Sequence, residues 1–161
     1  MTGPQATTAA RFLREAPVET YVTLTIGGQL CGIPVATVRD VLGEQAITRI
    51  PLAPREVAGS LNLRGRIVTA IDLRRRLGLA PADAGARRMS VVVDLCGELY
   101  SLQVDEVGEV MSLPSAGIEE NPPTLDALWR QVTRGIHRLD GRLLAVLDIV
   151  RLLDLRGARP H

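Results

Sequence analysis

His137 and His161 are the only histidines, and His161 is the last residue. Imidazole serves acid–base chemistry or metal binding only with a partner at a working spacing, and no HxxxH, HExxH or CxxC pattern occurs. His137, just before a turn, is expected to be a surface residue. Gly27-Gly28 has no Lys-Ser/Thr behind it, so it is a hairpin turn and not a phosphate loop. Asp105-Glu106 and Glu119-Glu120 could supply carboxylates. Neighbours on a strand point to opposite faces, however, so neither pair makes a dyad, and both are expected to be solvated surface charge. Arg74-Arg75-Arg76 suits the exposed side and C-terminal end of a short helix, where cations favour the dipole. These residues predict neither an enzyme nor a bound metal or cofactor.

The elements that would carry them repeat. GRIVTAIDLRRRLGL (Gly65–Leu79) returns 76 residues later as GRLLAVLDIVRLLDL (Gly141–Leu155), identical at six of fifteen positions. VTLTIGGQLCGIPVATVRDVL (Val22–Leu42) returns 69 residues later as VVVDLCGELYSLQVDEVGEVM (Val91–Met111). The second half thus has a connector seven residues longer. Such internal similarity predicts two units, each built as hairpin, connector, hairpin and short helix.

Within the first unit, Tyr21–Ile26 alternates apolar and polar, as a half-buried strand does. The return from Leu30 to Leu42 is interrupted or at an edge where Pro34 removes a donor. Ala46–Pro54 is a connector, Val57–Leu63 a strand, and Arg64-Gly65 a turn in which Gly65 takes the positive φ. Asp72 N-caps a helix that Gly78 stops. Ala80–Arg88 links the units. The second unit repeats this, with a return over Leu99–Leu113, a loop over Ser115–Pro123, a helix over Thr124–Val132 capped by Thr124, a turn at Asp140-Gly141, a strand over Leu143–Leu147 and a final helix over Asp148–Leu155. Short hairpin strands without βαβ alternation predict small β-barrels. Residues 1–18 are expected to be flexible, with one or two helical turns over Ala9–Ala16 at most.

The 161 residues make one domain or two small subdomains with a common core. A net charge of +1, with all nineteen basic residues arginine, gives no general pull toward nucleic acid or anionic lipid. Aromatics are 2% (Phe12, Tyr21, Tyr100 and Trp129), too few for a base-stacking platform. Cys31 and Cys96 are not equivalent in the repeat and suit reduced, buried thiols. No signal segment or long apolar run is present, which predicts a cytoplasmic protein. The repeat is asymmetric at one telling place: Arg64 occupies the first hairpin turn, Asp140 its equivalent. Beside a strand carrying Val38 and Asp40, Arg64 could rim an apolar patch. Spacing alone favours an exposed turn arginine with no partner.

The run AITRIPLAP…GSLNLRGRIVTAIDLR resembles the central signature of the CheW family of chemotaxis coupling proteins, with its connector, N-L-R-G turn and apolar strand ending in D-L-R. YVTLTIGGQLCGIPVATVRDV and VDEVGEVMSL are similar to the same family, so the resemblance runs from about Tyr21 to Leu155. Cys31 departs from a usual aromatic, Thr69 from a common Pro, and Ser60-Leu61 from a β-branched pair. The resemblance implies two intertwined five-stranded SH3-like β-barrels around an apolar seam. Segment 19–156 would be the CheW-like domain, with subdomains at about 19–85 and 86–156 and a tail at 157–161. It further implies a non-enzymatic adaptor that couples chemoreceptor cytoplasmic tips to the regulatory domain of a CheA-type histidine kinase, recruited to receptor arrays. The implied receptor groove comprises Val38, Asp40, Gly59, Asn62, Arg64, Val107 and Val110, with Asp40 able to pair with Arg64. No residue is assigned to the kinase contact.

Two other readings compete. A CheW-like scaffold could serve a kinase pathway for pili, gliding or another output, and a small barrel could bind nucleic acid. A chain that starts at Met1 and ends soon after Leu155 is expected to be a stand-alone adaptor and not a module of a larger kinase.

Overall fold

A computed structural model describes residues 17–155. The expected helical turns over Ala9–Ala16 and most of the terminal segments lie outside the described residues. In chain order the elements are β1 (Val18–Ile26), β2 (Gln29–Pro34), β3 (Val38–Leu42), β4 (Val57–Leu63), β5 (Arg66–Asp72), α1 (Leu73–Arg76), β6 (Met89–Leu95), β7 (Glu98–Val104), β8 (Glu106–Pro114), α2 (Ala127–Val132), β9 (Thr133–Leu139), β10 (Arg142–Leu147) and α3 (Ile149–Leu152).

The ten strands form two five-stranded barrels, ordered β8-β1-β2-β10-β9 and β3-β6-β7-β5-β4. Replacing each strand by its repeat equivalent turns one order into the other. Each barrel takes strands from both halves of the chain. The exchange happens where the long return strands break. After Pro34, a 3-10 turn at Val35–Thr37 carries the chain from β2 in the first barrel to β3 in the second. In the other half the break is at Asp105, between β7 and β8. Parallel pairs join the halves: Cys31↔Ala145 and Gly32↔Val146 in one barrel, Thr69↔Tyr100 and Ala70↔Ser101 at the equivalent places in the other.

Three apolar clusters follow from this topology. Leu61, Val68, Ala70, Val92 and Leu99 fill the second barrel, and Tyr21, Leu30, Leu144 and Val146 the first. The largest lies between the barrels, where Leu24, Ile26, Ile33, Ile71, Val91, Leu102 and Leu147 meet Trp129 and Leu152. A strand with a barrel interior on one side and the seam on the other is buried on both faces. Hence the alternation of β1 does not mean a half-buried strand: Tyr21 and Thr23 are as inaccessible as Leu24 and Ile26.

Burial overturns four further expectations. His137 is 3% exposed and packs edge-on against Tyr21, ring centroids 5.9 Å apart, because β9 turns it into the barrel. Its Nε2 finds no hydrogen-bond partner among the described residues. Burial, with the nearby Arg134 charge, depresses its pKa. Arg76 is 5% exposed. Its Nε and Nη2 donate to the carbonyls of Leu152 (2.9 Å) and Arg151 (3.0 Å), tying α1 to the end of α3. Asp105 is not solvated charge. Arg74 Nε and Nη2 each lie 2.8 Å from one of its oxygens, and the Gly27 N–H donates to it at 2.8 Å. The carboxylate thus pins the β7–β8 crossover to the β1–β2 turn and to α1, and the Arg74 hydrogen bonds hold its pKa below the usual range. Cys31 is buried, but Cys96 lies exposed in the β6–β7 turn.

The caps explain the helix ends. Asp72 accepts from the N–H groups of Arg74 and Arg75, as expected. Asp148 accepts from Arg151, and α3 is shorter than the sequence suggests. The cap of α2 is Asp126, which accepts from the Leu128 N–H at 3.0 Å; Thr124 lies outside the helix.

Candidate protein-docking groove

The β4–β5 hairpin presents the residue on which the site turns. Arg64 (φ 52) and Gly65 (φ 84) both have positive φ, the combination that a type I′ turn needs to match strand twist. The left-handed conformation costs a non-glycine residue about 1–2 kcal/mol. Asn62 helps hold it, its Oδ1 accepting the Gly65 N–H at 2.9 Å. Asp94 does the same for Gly97 behind Cys96 (φ 53) in the β6–β7 turn. Asn62 therefore shapes the turn that projects Arg64.

Arg64 has a partner, contrary to the expectation from spacing. Its Nη2 lies 3.1 Å from Asp40 Oδ2. Asp40 is on β3 and the turn belongs to β4–β5, at opposite ends of the strand order, so the pair spans the open edges of the second barrel. The Arg64 side chain is 80% exposed, and a pair so exposed contributes about 0.2–1 kcal/mol. Its value is to hold a guanidinium at a defined place on the rim.

The other predicted residues divide. Val38 and Val107, equivalent in the repeat, lie on the edge strands β3 and β8 and both pack against the seam, one from each barrel. Val110 lies 59% exposed further along β8. Gly59 is buried. At φ 148, a Cβ there would strike the Thr48 carbonyl and come within 2.7 Å of Ile47. Thr48 and Ser60 exchange two 2.8 Å backbone hydrogen bonds at this crossing. Gly59 therefore admits the connector against β4, as Gly135 admits Glu119 against β9.

Sequence reasoning missed how α1 is tied down. Asp72 accepts from both terminal nitrogens of Arg88, at 3.1 and 3.2 Å. Burial works to raise its pKa, but the hydrogen bonds and charge of Arg88, together with Arg75, outweigh it and leave the carboxyl depressed. Arg88 sits in the linker, where nothing in the sequence marks a partner.

Two small barrels fused through a seam, with an arginine on one rim and apolar edge strands beside it, define an interaction module. Among the described residues no cluster of His, Cys, Asp and Glu could hold a metal ion. The CheW-like domain family model matches residues 20–157, and the chain belongs to that family. It is 31% identical over 133 residues to a probable chemotaxis protein CheW of Rhizobium etli, spanning 83% of this chain and 86% of that protein. It is also 31% identical over 114 residues to protein PilI of Pseudomonas aeruginosa, spanning 70% of this chain and 64% of that one. The crystal structure of the scaffolding protein TtCheW from Thermoanaerobacter tengcongensis superposes with a TM-score of 0.77 at 28% identity, covering 88% of this chain and 96% of that chain.

Proposed function

We propose that this chain is a non-enzymatic chemotaxis adaptor, coupling the cytoplasmic tips of chemoreceptors to the regulatory domain of a CheA-type histidine kinase. It would work in the cytoplasm, at receptor arrays. The observation that carries the reading is the rim itself: Arg64 held by Asp40 and by the Asn62-locked turn, with Val38 and Val107 half-buried at the seam. A receptor tip is a helical hairpin. Such a ligand would bury apolar contacts on the valines while Arg64 fixes its register. Val110 extends the apolar surface, whereas Gly59 and Asn62 support the groove from within and from the turn.

Because Arg64 is exposed and contributes little to stability, Arg64→Glu is expected to keep the fold and the thermal midpoint but lose at least about tenfold in affinity for a receptor-tip fragment. Normal binding by the folded variant rejects the groove. Titration of the full chain with the kinase regulatory domain, followed by calorimetry, tests the second partner: saturable one-to-one binding is expected. The relative named PilI favours a second reading, a scaffold in a kinase pathway for pili. Binding to that pathway's kinase and not to a chemotaxis kinase would select it.

A further inference from the structure

Outside the groove, a cleft of about 670 Å3 opens between the 46–54 connector, the start of β4 and α1. Four guanidiniums line it, from Arg49, Arg55, Arg75 and Arg88, against one carboxylate, Asp72. Asp72 is already committed: it accepts from Arg88 twice and from two backbone N–H groups, and lies 3.6 Å from Arg75 Nε. The exposed Arg49 and Arg55 side chains have no acidic partner among the described residues. The cleft is thus net positive in a chain that is nearly neutral overall.

Its lip is apolar and strained. Leu52 is fully exposed and has φ 63, and Ile50 beside it is 42% exposed. A leucine turned wholly into water in a left-handed conformation is unfavourable twice over, by hydration and by backbone energy. It gains from any ligand that covers it. The repeat supplies the contrast. Thr48 bridges Ser60 as Glu119 bridges Ile136, so the residue after each bridge is equivalent: Arg49 in one connector, Glu120 in the other. The cleft has no counterpart of its own charge in the first barrel.

We infer that this cleft docks an acidic peptide segment of a partner protein, its carboxylates paired with Arg49 and Arg55 and an apolar side chain seated on Leu52. The site shares no residue with the proposed receptor groove. A free phosphate compound would satisfy the arginines but not the leucine, and an extended acidic segment satisfies both.

The probe is a fluorescein-labelled peptide of glutamates flanking a central leucine, titrated by anisotropy against the full chain. Expected are saturable one-to-one binding that weakens with salt, loss of about tenfold or more in the Arg49→Glu/Arg55→Glu double variant at unchanged circular dichroism, and a smaller loss in Leu52→Ala. Arg49→Gln/Arg55→Gln serves if charge reversal disturbs the fold. Four results overturn the inference. One is no binding, and another is equal binding of the peptide with glutamines for glutamates. A third is tighter binding of inorganic tripolyphosphate that ignores Leu52→Ala, which makes this a phosphate site. The last is concentration-dependent self-association, seen by sedimentation, that the double variant abolishes and that excludes the peptide; it makes the occupant a second copy.

Discussion

The two barrels share a strand order and even the register of their parallel pairs, yet they differ in what fills and rims them. The apolar cluster of the second is aliphatic, and its rim carries the Asp40–Arg64 pair. In the first, Tyr21 and His137 occupy places that Ser90 and Leu61 hold in the second, and the rim equivalents of Asp40 and Arg64 are Glu109 and Asp140. An attractive rim pair in one barrel is thus two like charges in the other. Backbone hydrogen bonding and the seam constrain both copies alike, while rim residues answer only to partners. The inequality agrees with the groove proposed above, which places Arg64 on the second barrel's rim.

The crossings should break most sharply. Gly59→Ala is expected to lose about 2–4 kcal/mol, because it combines a positive φ with a clash against the Thr48 carbonyl, and Gly135→Ala less, because only the close approach to Glu119 and Ile118 is at issue there. Urea titration of both variants measures the difference, and equal losses would mean that the positive φ adds nothing. Next in size is the crossover pin that exists in only one copy: Asp105 and Arg74 correspond to Ala36 and Val150. Asp105→Asn should cost about 1–3 kcal/mol at pH 7.

The depressed carboxyls of Asp105 and Asp72 stabilise the fold fully above the ordinary aspartate pKa of about 3.9, and that contribution is lost as pH falls through their folded values. The denaturation midpoint of Asp105→Asn should accordingly fall less steeply in acid than that of the parent. His137 sharpens the contrast between interiors. Its pKa is also depressed, so the unfolded chain takes up the proton first, and stability drops as pH falls below about 6.5. His137→Leu, which copies Leu61, should flatten the curve from pH 7 toward the folded value, and an unchanged slope would count against the buried imidazole as its source. The smallest effect is expected from Asp140→Arg. Opposite Glu109 it should create the missing rim pair and add a few tenths of a kcal/mol, screened by salt.

Much of this architecture was legible in the chain. The repeat, the hairpin turns, the cap at Asp72 and the interruption at Pro34 are local, and local geometry follows from residue type: glycine for positive φ, aspartate for a helix start, proline for a lost donor. The Arg64 turn was legible for the same reason. What the tertiary structure alone decided concerns residues far apart in sequence. Asp105 meets Arg74, Arg76 meets the end of α3, and Arg88 meets Asp72 because each barrel borrows strands from the other half. His137 and Tyr21, 116 positions apart, pack together for that reason too. Alternation along a strand tells which residues share a face but not whether a second layer covers the other face. Here the seam covers what a lone barrel would leave wet, and burial, pairing and titration all follow from that closure.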